Sequence, residues 1–338
     1  MRITDTPIPE WRNVDHDLFE REIVPRFAPA VLRGLVRDWP AARAGAASSQ
    51  AACAYLRRFD QGAPVEAFLG APGIGGRFFY RDDMVGFNFE KRRLRFGDVL
   101  TFLAEEDAPG RPAVYVGATP VAQCAPGFEV ENALSLIADK PAVPRLWIGN
   151  ATVVAAHFDM SDNIACLVSG RRRFTVFPPE EVANLYVGPL DHNMAGQPAS
   201  MVSFAEPDLD RFPRFRQAMA AAQVAELGPG DAIYIPSPWW HHVEALDPFN
   251  VLLNYWWDDQ PADAGSPLEA LGYGILAVSN LPEGRREAWR SLFDHYVFKR
   301  DGEPAAHLAP GHRGILGPST PQLRARIRQF LMQGLARG

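Results

Sequence analysis

The chain has 338 residues, of which 47% are hydrophobic and 11% aromatic, the balance of a globular protein with a substantial core. Net charge is −6, the pI is near 5.8, and basic residues are interspersed with acids, so a nucleic-acid-binding stripe is not expected. Lys91-Arg92-Arg93 reads as a solvated face. Cys53, Cys124 and Cys166 lack paired spacing and read as buried thiols in a reducing compartment. The opening MRITDTPIPEWRNVD has no apolar signal core, and no apolar run approaches the ~18 residues of a membrane span. A soluble cytoplasmic protein without membrane partners is expected.

Three regions follow in chain order. Residues 1–112 mix short helices with extended pieces: Ala30–Leu35 reads as a strand, the Ala-rich Ala41–Ala54 as helix, and Phe96–Leu103 opens another helix. Residues 113–260 change to short β-rich runs punctuated by Gly and Pro: AVYVG, RLWIGN, NIACLVSG, RRFTVFPP, DAIYIPS, HHVEAL and NVLLNYWW. That pattern predicts a sandwich or barrel. Within it, the stretch 186–223 is a long Pro-containing loop, of a length that is usually functional. Residues 261–338 turn helical, with apolar stripes at Trp289, Leu292, Phe293, Tyr296 and Val297 and at Leu323, Ile327, Phe330 and Leu331, each able to pack on a barrel wall or on a second subunit.

The chemistry concentrates in two places. In AAHFDMSDN, His157 and Asp159 are two residues apart, so on a strand both project from one face while Phe158 points away. In IPSPWWHHV, which follows the turn Gly228-Pro229-Gly230-Asp231, alternation sets His241 with Trp239 and Val243 and His242 with Trp240 and Glu244. Only one of the two histidines can join the first pair, and alternation alone does not choose. Two histidines and a carboxylate on one side of a metal leave positions open for a bidentate co-substrate and dioxygen, as suits non-haem Fe(II). The tryptophans around these motifs read as barrel packing, with Trp256, on the face of Asn254, able to border the site.

The run HFDMSDNIACLVSGRRRFTVFPPEEVANLYVGPLD, followed by LGPGDAIYIPSPWWHHVEALDPFNVLLNYWW, resembles the JmjC-type, cupin-like (cupin 8) branch of the Fe(II)/2-oxoglutarate oxygenases, and within it the asparaginyl hydroxylase that inhibits hypoxia-inducible factor. The resemblance is clearest over residues 112–258, and PAVLRGLVRDWP looks like the family's opening strand. It implies a mainly β fold with flanking α, a double-stranded β-helix or jelly-roll, with N-terminal α/β elements and C-terminal helices that form a homodimer. It also implies Fe(II) and 2-oxoglutarate as cofactor and co-substrate, hydroxylation of a protein, peptide or small molecule, and His241 as the third ligand beside His157 and Asp159. Arg172 stands where the family has a lysine for the distal 2-oxoglutarate carboxylate, with Arg171 and Arg173 as neighbouring alternatives. A guanidinium can make that contact bidentately. Tyr115 matches a tyrosine bonding the same carboxylate, Asn163 and Asn254 match asparagines lining the co-substrate pocket, and Val154 replaces a carboxylate-binding threonine. Metal cupins that work without 2-oxoglutarate, and non-enzymatic modules keeping the barrel, are the alternatives.

Overall fold

A computed structural model describes residues 6–105, 110–194 and 196–336. They form two compact units, divided after Asp258. The first unit contains thirteen strands: β1 (Glu10–Arg12), β2 (Ala30–Arg33), β3 (Pro64–Gly70), β4 (Phe89–Arg95), β5 (Ala113–Pro120), β6 (Val143–Gly149), β7 (Val153–His157), β8 (Asp162–Ser169), β9 (Arg172–Phe177), β10 (Gln223–Leu227), β11 (Ala232–Ile235), β12 (Trp240–Ala245) and β13 (Asn250–Trp257).

The strands make two sheets, a nine-stranded one in the order β1-β2-β11-β8-β13-β6-β5-β3-β4 and a four-stranded one in the order β10-β9-β12-β7. Consecutive strands such as β8 and β9 fall in different sheets, the crossing expected of a jelly-roll. The four strands that precede residue 113 are hydrogen-bonded into the larger sheet, β2 against β11 and β3 against β5.

Period-two alternation sorts the side chains into layers. On β8, Ile164, Cys166 and Val168 join Leu253 and Tyr255 of β13 in a core shared with the N-terminal helices. Ala165 and Leu167 turn the other way, toward Phe174 and Val176 of β9 and Val243 of β12. Because β8 is covered on both faces, it reads as a continuous apolar run. Helix Pro40–Ala47 lies directly on it: a Cβ on Gly45 would stand 1.8 Å from the Val168 carbonyl oxygen, so only glycine permits this approach. The smaller sheet is backed by Ala156, Phe177 and Trp240 packing on Phe204, Phe215 and Met219, which belong to the 186–223 stretch. Described residues of that long connection thus pack on the sheet, and it ends in helix Phe215–Ala221. All three cysteines are free and buried.

The second unit has three longer helices, Pro267–Val278, Glu283–Tyr296 and Pro321–Leu335, none of which contains a buried residue. Arg324 ties the last helix to Asp263 with a 2.7 Å ion pair. Among the described residues, no helix is long and apolar enough to cross a membrane.

Candidate metal centre

The inner faces of the two sheets enclose a cavity of about 620 Å³, whose wall includes His157, Asp159, His241, Arg172, Tyr115, Asn163 and Asn254. The smaller sheet brings the histidines together, because His241 of β12 is the register partner of His157 of β7. Their rings are 4.3 Å apart. A bulge between His241 and Val243 shifts the register, so that Val154 as well as His157 reaches the cavity.

One ligand atom from each of His157, Asp159 and His241 lies within 4.8 Å of the others, spacing that one metal ion can bridge. Nδ1 of His157 is 3.0 Å from the Ala155 carbonyl, and Nδ1 of His241 is 3.2 Å from that of Trp239. A proton on each Nδ1 is thereby used by the backbone, which leaves the Nε2 lone pairs for a metal. Both Nε2 atoms face Asp159, His157 at 3.9 Å and His241 at 3.6 Å. Burial, reinforced by His157, lowers the His241 pKa to about 4, so the imidazole is held neutral and ligand-competent.

Asp159 is positioned by its neighbours. Its Oδ2 accepts from Trp256 Nε1 at 3.0 Å and from Asn163 Nδ2 at 3.2 Å. Asn254 Nδ2 donates to Asn163 Oδ1 at 3.3 Å, and Trp147 Nε1 to Asn254 Oδ1 at 2.6 Å, so the two asparagines form a relay that ends on the carboxylate. From the other side, Ser237 Oγ donates to the Asp159 carbonyl at 2.8 Å. Trp147, Trp256 and Ser237 are participants that the sequence did not single out as hydrogen-bond donors. The one signal for Trp256 was its place two residues from Asn254.

His242 faces the opposite layer, 4.2 Å from the Phe204 ring, and burial lowers its pKa to about 3. It lies outside the cavity wall, as Phe158 does, which packs edge-on against Trp240 at 4.9 Å.

The same alternation separates Arg172 from Arg173 on β9 and from Arg171, the residue just before the strand. Arg171 and Arg173 turn outward onto carboxylates, Asp247 at 2.9 Å and Glu226 at 2.7 Å. Arg172 turns inward and is 4% exposed, with its Nε and one terminal nitrogen buried and without hydrogen-bond partners. A desolvated guanidinium with unfilled donors is costly in isolation, and a bound anion is what satisfies it. Desolvation also pushes the Tyr115 hydroxyl up to about 12, against the partly opposing pull of Arg172, so the phenol stays protonated. An inward cation, a protonated phenol and a two-histidine, one-carboxylate cluster in one cavity fit Fe(II) with an anionic keto acid.

Comparison with known proteins agrees with this architecture. The family described as "Cupin-like domain" matches residues 16–263. The chain is 37% identical to human HSPB1-associated protein 1 over 113 residues, 33% of this chain and 22% of that protein. It is 26% identical to lysine-specific demethylase 8 of Xenopus tropicalis over 256 residues, 75% of this chain and 53% of the relative. It is 27% identical to mouse tRNA wybutosine-synthesizing protein 5 over 146 residues, 39% of this chain and 43% of the relative. The chain thus spans no more than about half the length of these relatives. With three quarters of its length matched and a His-Asp-His cluster inside the barrel, the chain belongs to the JmjC-type cupin-like domain family.

Proposed function

We propose that this protein is an Fe(II)- and 2-oxoglutarate-dependent oxygenase that hydroxylates a protein, peptide or small-molecule substrate. The carrying observation is the inward guanidinium of Arg172, buried without a full set of partners, in the cavity that also holds the His157, Asp159 and His241 cluster. Fe(II) with 2-oxoglutarate and dioxygen supplies oxidative chemistry in which the keto acid becomes succinate and carbon dioxide and one oxygen atom goes to the substrate.

The chain's residues do the holding. His157, Asp159 and His241 would hold the metal. Trp256 and Asn163 fix one oxygen of Asp159 and so orient the other, and Asn254 steadies Asn163. Arg172 would pair with the distal carboxylate of 2-oxoglutarate, and Tyr115, still carrying its proton, would donate to the same group. Val154, Phe174 and Leu252 wall the cavity with apolar surface, which strengthens that pairing by excluding water. Free, buried cysteines support a reducing, cytoplasmic setting. The relatives' names, a lysine-specific demethylase and a tRNA wybutosine-synthesizing protein, are compatible with more than one substrate class.

Anaerobic calorimetric titration tests the reading: Fe(II) first, then 2-oxoglutarate. Expected is one metal per chain and co-substrate binding that requires the metal, followed in air by succinate release. Metal binding without any 2-oxoglutarate binding would instead indicate a metal cupin of another class. Absence of metal binding would indicate a non-enzymatic module.

A further inference from the structure

Strand β4 ends the nine-stranded sheet and, among the described residues, pairs only with β3, over Phe89–Arg95. The Phe96 N–H bonds the Ala63 carbonyl at 3.0 Å, a pair that continues the β3/β4 register. In an antiparallel ladder hydrogen-bonded pairs alternate, so Glu90, Arg92 and Leu94 exchange bonds with β3. Lys91, Arg93 and Arg95 therefore turn their N–H and C=O groups to the open edge. The same alternation puts these three side chains on one face. It is the cavity face: Lys91 and its register partner Phe68 line the cavity of the metal cluster, with Lys91 Nζ 4.7 Å from the Phe68 ring centre, whereas Leu94 packs on the opposite, helix-covered core.

That row is of one sign. Glu66 answers Lys91 at 3.6 Å, and Arg92, on the other face, pairs with Glu90 at 2.7 Å. Arg93 and Arg95 are exposed and have no ion pair among the described residues. Charged edges do keep neutral strands from adding. A row of cations beside outward backbone donors and acceptors goes further, because it selects an extended chain of opposite charge.

We propose that the open edge of β4 is a docking rail for an acidic, extended peptide segment, held by strand addition and continuing into the metal-site cavity. A polypeptide satisfies the outward carbonyls of β4 with its own N–H groups. A DNA backbone has no donors, and an RNA backbone offers only 2′-hydroxyls that do not follow the spacing of a strand, so a peptide is favoured over those other polyanions. That the docked peptide is the substrate rests on the oxygenase reading above; the docking does not.

The test is fluorescence anisotropy with a short labelled peptide of alternating Glu and Thr, compared with alternating Lys and Thr, alternating Glu and Pro, and an oligothymidylate of similar length. The Glu–Thr peptide is expected to bind at least about tenfold tighter than each of the others. Arg93→Glu with Arg95→Glu should abolish that preference, and Arg92→Glu, on the other face, should leave it. Arg93→Pro removes an outward N–H that the β3 ladder does not use, which an edge strand tolerates, and should weaken binding several-fold. Failure of the Glu–Thr peptide to bind, equal binding of the Lys–Thr peptide, tighter binding of the oligothymidylate, or affinity that survives the double charge reversal would each overturn the rail. The measurements need neither Fe(II) nor 2-oxoglutarate, so their failure leaves the oxygenase reading standing, and failure of metal or co-substrate binding leaves the rail.

Discussion

The two units of this chain use apolar residues in opposite ways. Up to Asp258, apolar clusters pack against both sheets, and Phe19, Phe96, Phe128, Phe177, Phe215 and Phe249 are fully buried. After it, Trp289, Leu292, Phe293 and Tyr296 lie along one helix at 38–47% exposure, and Phe330 of the last helix reaches 68%. A helical stripe has the same period whether it fills a core or waits for a partner, so periodicity identifies the element but not what covers it. The difference assigns separate tasks: the first unit contains the whole metal cluster and cavity wall, and the helical unit offers surface for a second copy, in a homodimer that we propose.

If the tasks are separate, substitutions in one unit should leave the other's property intact. The largest effect is expected at the cluster. His157→Ala, Asp159→Ala and His241→Ala should each abolish Fe(II) binding in calorimetry while the mass by light scattering is unchanged. His242→Ala, on the far face of β12, should keep most of the metal binding; equal loss from His241→Ala and His242→Ala would refute the division of faces. Conversely, Leu323→Glu with Ile327→Glu should break the dimer and spare metal binding, since a two-fold contact buries each new charge twice. A wild-type mass near the 37.4 kDa of one chain at micromolar concentration would refute the dimer outright.

A smaller effect sharpens the description of the cavity. Arg172→Ala removes a charge-assisted contact worth about 1.5–3 kcal/mol, so the 2-oxoglutarate requirement should rise by roughly tenfold or more with metal affinity nearly constant. Arg171→Ala should do neither, because its guanidinium is engaged with Asp247 outside the cavity. An unchanged co-substrate titration for Arg172→Ala would shift the role to another cation.

Local pattern made much of this legible. Strands β5, β6, β8, β9, β11, β12 and β13 lie where β-branched and aromatic residues alternate between Gly and Pro signals, whereas the expected strand face shared by His157 and Asp159 is not formed: β7 ends at His157, and Asp159 reaches the cluster from the segment just beyond it. What local pattern cannot carry is long-range pairing. Strands β3 and β4 have ordinary, partly charged sequences and exist because β5 and its neighbours offer a sheet edge. Ser48 splits the Ala-rich stretch in two by capping a second helix at the Ala51 N–H, a break that composition hides. Alternation distinguished His241 from His242, and Arg172 from Arg171 and Arg173, as opposite faces of a strand. Which face is inside follows only from closure of the two sheets.

Trp256 marks the limit of such reading, and the smallest expected effect tests it. An aromatic residue on a strand counts toward the core on propensity alone, yet its Nε1 donates to Asp159 Oδ2 at 3.0 Å, and its ring stands edge-on to Trp147 at 5.7 Å. Trp256→Phe keeps an aromatic ring in the wall and removes only the donor. Asn163 still holds the same oxygen at 3.2 Å, so the carboxylate is loosened and not released. Loss of an outer partner of a metal ligand weakens metal affinity by about 10- to 100-fold, and with one donor remaining the lower end is expected. Asn163→Ala with Trp256→Phe should then lose more than either change alone, as neighbours acting on one group are not additive. Metal titrations of the two single variants and the double variant give the coupling. If Trp256→Phe binds Fe(II) as tightly as wild type while its melting temperature falls, the indole is core packing and Asn163 alone orients Asp159.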